Sequence, residues 1–169
     1  ERDMQKITTK LALAALLAAA STAVMAQEKL RIGAPVAMTG PLADAGIKSK
    51  QGYDVCVSAI NAKGGVSADG KKYQVELVEY DYQSETNRAI QLVQRLVNVD
   101  KVPFLLAPYG SGDTKATAAV AERYGVPMMA AAAATPSVFD QNFQNLFGIL
   151  FPNKMMTDAE VQYYKKNAP

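Results

Sequence analysis

The chain has 169 residues, of which 49% are hydrophobic and 20% charged, and its formal net charge is +2. This length and composition suffice to bury the core of one globular domain, and the small net charge gives no indication of binding to nucleic acid or to an anionic membrane surface. Because the sequence has no histidine and a single cysteine, Cys56, it excludes histidine-dependent catalysis, Cys/His metal sites and a disulfide within these residues.

The first 26 residues have the pattern of a secretory signal peptide. Two lysines precede an apolar run at 11–20 that is rich in alanine and leucine, and small residues stand three before and one before a cleavage site after Ala26. We therefore expect residues 1–26 to be a signal region, with translation starting at Met4. The alternative is an N-terminal membrane anchor, but the stretch 11–26 is shorter than the roughly 20 residues that a membrane-spanning helix needs.

Beyond Ala26, short apolar runs alternate with longer stretches of helical periodicity. Strands are predicted at 30–36, 73–80, 102–107 and 126–131. Helices are predicted at 47–62, from 84 through 97, at 111–124 and at 155–166. Connections of this length predict an α/β fold with a doubly wound parallel sheet, right-handed crossovers and helices on both faces.

The apolar positions of these helices predict which faces meet the sheet. In the first helix they are Val55, Cys56, Ala59 and Ile60, so Cys56 is expected to be a buried small hydrophobe rather than a reactive thiol. The second helix is expected to start with Ser84 as its N-cap and to bury a face formed by Ala89, Leu92, Val93, Leu96 and Val97. Asp81, at the end of the second strand, is expected to cap a turn, with ligand binding as the alternative.

The loop between the third strand and the third helix is the first candidate binding segment. Ligands of such sheets bind beyond the carboxyl ends of the strands, and this loop contains Gly110, Ser111 and Gly112. Small residues let a ligand approach the backbone. Ser111 could cap the helix while its hydroxyl and the free amides behind it face an anion such as a carboxylate. The alternative is a plain N-cap in a glycine-rich turn.

The loop after the fourth strand is the second candidate. It contains Ala132, Ala133, Ala134 and Thr135, which offer bare carbonyl groups for an ammonium and one hydroxyl. The alternative is a close-packed loop that requires small side chains. Because both loops leave adjacent strands at one edge of the sheet, we expect them to bind a ligand together, with the carboxylate at the first loop and the ammonium at the second. No cofactor, metal ion or catalytic residue is predicted.

Four segments resemble a known family. They are IGAPVAMTGPLADAG, INAKGGV, VELVEYDYQSETNRAIQLVQRLVNVDKVPFLLAPYGSG and AERYGVPMMAAAAATPSVF. They are similar to the first lobe of the type I periplasmic binding proteins that serve branched-chain amino acid ABC transporters, and the similarity extends from Leu30 to Phe151. The resemblance implies that 27–151 is the first ligand-binding lobe of a two-lobed clamshell and that 152–169 is the crossover into a second lobe missing from the chain.

The same resemblance implies a function. The protein would be a non-enzymatic, monomeric periplasmic protein that delivers a small amino acid or related carboxylate to a membrane permease, with first-lobe contacts at Ser111, the alanines and Thr135. Ala45 stands where members often have an aromatic residue, and the segment FGILFP is closer to members that take other carboxylates, including aromatic acids. Two alternatives are a ligand-sensing domain of a receptor on the same scaffold and a secreted hydrolase, although without histidine Ser111 lacks the usual base.

Overall fold

The computed structural model describes residues 27–167, so the predicted signal region and its cleavage site lie outside the described residues. The strands are β1 Glu28–Val36, β2 Val66–Ala68, β3 Lys71–Asp81, β4 Phe104–Leu106, β5 Met128–Ala130 and β6 Leu146–Gly148. The helices are α1 Ala43–Ala62, α2 Thr86–Asn98, α3 Ser111–Tyr124, α4 Pro136–Phe139 and α5 Asn153–Asn167.

The strands form one six-stranded sheet in the order β2-β3-β1-β4-β5-β6. Every neighbouring pair is parallel except β2 and β3, which form an antiparallel pair. The chain moves from β1 to one side of the sheet and then crosses to the other side at β4, so the strand order reverses between β1 and β4. A crevice at the carboxyl ends of the strands at such a point is where open α/β sheets bind ligands.

Helices cover both faces of the sheet, as the doubly wound prediction requires. Successive residues of β3 show this, because side chains alternate along a strand: Glu79 pairs with Lys50 of α1 at 2.8 Å, whereas the ring of Tyr80 lies under the guanidinium of Arg95 in α2. Helices α2 and α3 share the face opposite to α1. The predicted α/β fold class is confirmed.

The larger core lies between the sheet and the pair α2 and α3. Its buried residues are Val93, Leu96, Val102, Leu105, Ala107, Ala118, Val120, Ala121, Met128, Ala130, Ala133 and Val138. Gly33 of β1 allows this packing, because a Cβ atom there would lie 2.9 Å from Val102 and 3.0 Å from both Leu105 and Leu96. The predicted apolar face of α2 is confirmed, with its central residues fully buried.

The prediction for the sheet-facing side of α1 is wrong. The helix begins at Ala43 rather than Ile47, Val55 is 70% exposed, and Cys56 is exposed rather than buried. Polar side chains occupy positions toward the sheet and find partners there: the Asn61 amide, for example, donates to the Val75 carbonyl and accepts from its N–H, both at 2.8 Å. Because polar side chains hold this face of α1 against the sheet, a hydrophobic stripe could not identify it.

The second helix begins at Thr86, and Ser84 does not cap it, contrary to prediction. The Ser84 hydroxyl instead accepts a hydrogen bond from the Leu42 N–H at 3.0 Å and donates to the Thr39 carbonyl at 2.8 Å. It therefore ties the turn after β1 to the turn after β3. The short elements β2, α4 and β6 were not predicted.

Two glycines of α1 give a test of the packing. A methyl group on buried Gly46 would collide with the Ala37 carbonyl, whereas nothing lies within 4 Å of a methyl group on Gly52. We expect Gly46→Ala to lower the free energy of unfolding by about 1–3 kcal/mol through overpacking. Gly52→Ala should raise it by about 0.5–1 kcal/mol through helix propensity. Urea unfolding followed by circular dichroism measures both, and equal midpoints for the two variants would contradict this packing.

Candidate functional site

The two predicted loops meet at the carboxyl edge of the sheet. One loop connects β4 to α3 and the other follows β5, and these two strands are parallel neighbours. The N–H of Thr135 donates a hydrogen bond to the Ser111 hydroxyl oxygen at 3.3 Å. The structure thus brings together the two segments that sequence analysis placed at one site.

The start of α3 presents unpaired backbone donors. Gly110 is the N-cap residue, with φ 91° and ψ 149°, and no side chain caps the helix, so the prediction that Ser111 caps it is wrong. Within residues 27–167, the amides of Ser111, Gly112 and Asp113 donate to no protein acceptor, and the first bonded amide is that of Thr114, to the Gly110 carbonyl at 3.1 Å. Free amides and the positive end of a helix dipole form a site for an anion.

There is room for a ligand beside these amides. Nothing lies within 4 Å of the positions that Cβ atoms would occupy on Gly110 and Gly112. The φ of Gly110 lies in the region that favours glycine, so the loop can adopt this path without strain. Tyr109, which sequence analysis did not single out, is an exposed aromatic side chain at the same loop. An aromatic residue next to a glycine pair is the signal that could have identified it.

The alanine loop offers carbonyl acceptors, but not at every residue. The Ala134 carbonyl already accepts a hydrogen bond from the Asn153 N–H at 2.8 Å. The carbonyls of Ala132 and Ala133 accept none from within the part of the chain that the structure describes. Ala133 is fully buried, backbone included, so its carbonyl is not open to a ligand, whereas Ala132 is only half-buried and presents the accessible carbonyl of the loop. Carbonyl oxygens of this kind suit an ammonium group.

The half-buried carboxylate of Asp81 links the turn after β1 to the turn after β3. Asp81 accepts hydrogen bonds from the N–H groups of Met38 at 2.9 Å and Gln83 at 2.8 Å, and from the Thr39 hydroxyl at 2.7 Å. Its predicted role as a turn cap is confirmed. Burial raises the pKa of the Asp81 carboxyl, but the hydrogen bonds from Thr39, Gln83 and Met38 outweigh burial and hold that pKa below its ordinary value.

Neither a metal-binding cluster of side chains nor a helix able to span a membrane is found in residues 27–167. Residues 27–167 contain no group of three or more acidic or cysteine side chains that could hold a metal ion. Among the same residues, no helix has the length and apolar character needed to cross a membrane. The candidate site consists of backbone amides, backbone carbonyls and the hydroxyls of Ser111 and Thr135, which are groups that can form hydrogen bonds with a small polar ligand.

Comparison with known proteins gives a consistent result. A family model described as "Periplasmic binding protein" matches residues 29–169. The chain is 33% identical to Leu/Ile/Val-binding protein homolog 7 of Brucella suis over 85% of this chain and 34% of that protein. It is 29% identical to the Leu/Ile/Val-binding protein of Escherichia coli K12 over 82% of this chain and 36% of that protein. The chain thus spans about a third of the length of these relatives.

A solved structure resembles the fold closely. The branched-chain amino acid transporter substrate-binding protein LivJ from Streptococcus pneumoniae, solved in complex with isoleucine, superposes with a TM-score of 0.67 at 30% sequence identity. The match covers 78% of this chain and 38% of that one. The sheet and helices described above are those of the type I periplasmic binding protein fold, as the sequence predicted.

The depressed pKa of Asp81 predicts a pH-dependent contribution to stability. A carboxyl whose pKa is lowered by folding stabilises the protein above its unfolded pKa of about 3.9, and this contribution is lost as the pH falls through the folded pKa. We expect Asp81→Asn to cost about 1 kcal/mol at pH 7, allowing for partial exposure to solvent. The difference from the wild type should shrink as the pH is lowered below about 4.

Thermal unfolding midpoints between pH 7 and pH 3 measure this effect. The matched control is Asp44→Asn, since within residues 27–167 the Asp44 side chain forms only an exposed ion pair, with Lys48 on α1; at pH 7 it should change stability by less than about 0.5 kcal/mol. A difference between Asp81→Asn and the wild type that stays constant over the whole pH range would contradict the assigned hydrogen bonds.

Proposed function

The chain belongs to the periplasmic binding protein family, and we propose that the complete protein is the substrate-binding component of an ABC transporter that takes up a branched-chain amino acid or a related small carboxylate. The Leu/Ile/Val-binding relatives and the isoleucine complex of the similar structure support this ligand class. The observation that carries the proposal is that free amides at the start of α3 and the free Ala132 carbonyl of the alanine loop lie at the same edge of the sheet.

This pairing fits the two charged ends of an amino acid. The carboxylate would accept hydrogen bonds from the amides of Ser111 and Gly112 and from the Ser111 hydroxyl, at the positive end of the α3 dipole. The ammonium would donate to the Ala132 carbonyl and to the Thr135 hydroxyl, both of which belong to half-buried residues. Charge-assisted hydrogen bonds of this kind are stronger than neutral ones, so neither end requires a charged protein side chain.

We infer that 27–151 is the first of two lobes and 152–169 the crossover into the second. The sheet supports this division, because parallel sheets are normally covered on both faces. Yet Phe104, Met129 and Phe147, which the strand registers place on the α1 side of the sheet, are exposed. The remainder of the protein would cover this surface and supply the opposite wall of the ligand site. Helix α5, which has no buried residue, would then pack against that remainder of the protein.

The proposal extends to location and partners. The relatives are periplasmic binding proteins rather than enzymes, and a signal peptide cleaved after Ala26 would bring this protein to the periplasm. There the liganded protein, as a monomer, would pass its ligand to a membrane permease. Enzymatic activity is not expected, because binding through backbone groups offers neither a nucleophile paired with a base nor a metal ion.

The test is ligand binding by the complete mature gene product, measured by isothermal titration calorimetry with leucine, isoleucine, valine, phenylalanine and 4-hydroxybenzoate. We expect saturable binding of at least one aliphatic amino acid. Ser111→Ala should weaken it about tenfold, because a hydrogen bond to a charged group is lost and Thr135 loses its acceptor. The amide of the same amino acid should bind more weakly than the acid, since it lacks the carboxylate.

The control variant is Ser58→Ala, because Ser58 lies exposed on α1, away from the sheet edge. It should bind as the wild type does. Binding of aromatic acids alone would keep the transport function and change the ligand class. A folded complete protein that binds none of these compounds would refute amino-acid uptake.

A further inference from the structure

A polar cluster lies directly behind the start of α3. The Thr86 hydroxyl, in the first turn of α2, donates a short hydrogen bond to Asp113 Oδ1 at 2.6 Å. The Tyr82 hydroxyl, just beyond the end of β3, donates to the Tyr109 carbonyl at 3.4 Å. The cluster therefore joins β3, α2, α3 and the loop that carries Ser111. None of its members belongs to the predicted binding residues.

Two members of the cluster are deeply buried. Tyr82 is completely inaccessible to solvent and packs with Ala37 and Ala89, and Asp113 is only 8% exposed. Burial raises the pKa of the Tyr82 hydroxyl, and the neighbouring Asp113 carboxylate raises it further. The phenol consequently stays protonated and remains a permanent hydrogen-bond donor. A buried polar group that keeps a partner is costly to disturb.

The loop in front of the cluster needs external support. Gly110 has no side chain to anchor it and makes no close contact at its Cβ position. Side-chain contacts from behind hold the path from Pro108 into α3: Tyr82 to the Tyr109 carbonyl, Thr86 to Asp113, and the Thr114 hydroxyl to the Pro108 carbonyl at 3.0 Å. Amides that are to bind an anion act best when they are fixed before the ligand arrives.

We propose that Tyr82 and Asp113 are positioning residues, which together with Thr86 hold the free amides of Ser111 and Gly112 in the orientation that receives the carboxylate of the ligand. The inference rests on the proposed function of this site. It adds that the affinity of the site for a carboxylate depends on a cluster that never touches the ligand. If the contacts of the cluster are lost, we expect the start of α3 to loosen before the rest of the fold is affected.

A matched pair of tyrosine variants tests this. Tyr80 lies in β3, two residues before Tyr82, and its hydroxyl donates to the Asp100 carboxylate at 3.2 Å, beyond the far end of α2. In the complete protein we expect Tyr82→Phe to weaken isoleucine or leucine binding about threefold to tenfold, the effect of one lost hydrogen bond. Tyr80→Phe, which loses a comparable hydroxyl, should stay within about twofold of the wild type.

Two variants of Thr86 test the same cluster, one that removes its hydroxyl and one that restores it. Thr86→Val keeps the shape but leaves Asp113 without its donor, and it should weaken binding as Tyr82→Phe does. Thr86→Ser restores the hydroxyl and should recover the affinity. If all four variants bind equally, or if affinity falls only in proportion to the unfolded fraction measured in parallel, the cluster is structural and the proposal is wrong.

A readout without ligand separates this inference from the proposed function. Hydrogen exchange of the Thr114 amide, which donates to the Gly110 carbonyl, reports how firmly the loop is held. It should be at least about threefold faster in Tyr82→Phe than in Tyr80→Phe, while amides in the middle of α2 are unchanged. If the wild type binds no amino acid, the proposed function fails and this exchange alone decides the positioning role. Equal exchange in both variants would overturn it.

Discussion

The close approach of α2 to β1 over Gly33 is the contact on which the candidate site depends. Only a residue without a side chain leaves room for Leu96 and Leu105 at this point, and the resulting packing sets the depth at which α2 lies on the sheet. Helix α3 packs beside α2 in the same core. The position of the free amides at the start of α3 is therefore set by core packing and then refined by the polar contacts behind it.

The alanine loop is fixed from its other side by the segment that leaves the sheet. The Ile149 N–H donates to the Ala130 carbonyl at 3.2 Å, and the Asn153 N–H donates to the Ala134 carbonyl. These bonds flank the two free carbonyls of the loop. A movement of the segment after β6 must therefore either carry the alanine loop with it or break these hydrogen bonds.

Sequence patterns located the long elements and the two loops, for identifiable reasons. The strands β1 and β3 and the helices α2 and α3 have periods that hydrophobic burial alone explains. The face of α1 was mispredicted because Lys50 and Asn61 are satisfied by specific partners on the sheet. Ser84 was misread as a cap because its partner, the turn after β1, is distant in sequence. Long-range polar contacts leave no periodic trace, and for the same reason the cluster behind α3 was not foreseen.

The proposed recognition through backbone groups would also limit what this part of the protein can distinguish. In that binding mode, the amides at the start of α3 and the Ala132 carbonyl would contact the carboxylate and ammonium that all amino acids share, and they would carry no information about the side chain. At this edge of the sheet, Tyr109 and the residues that follow β6, among them Ile149 and Phe151, are large exposed side chains that could contact the rest of a ligand. Under the proposed function, discrimination among aliphatic and aromatic ligands would then come mostly from walls that the remainder of the protein supplies, because specificity is a difference in affinity that shared contacts cannot create.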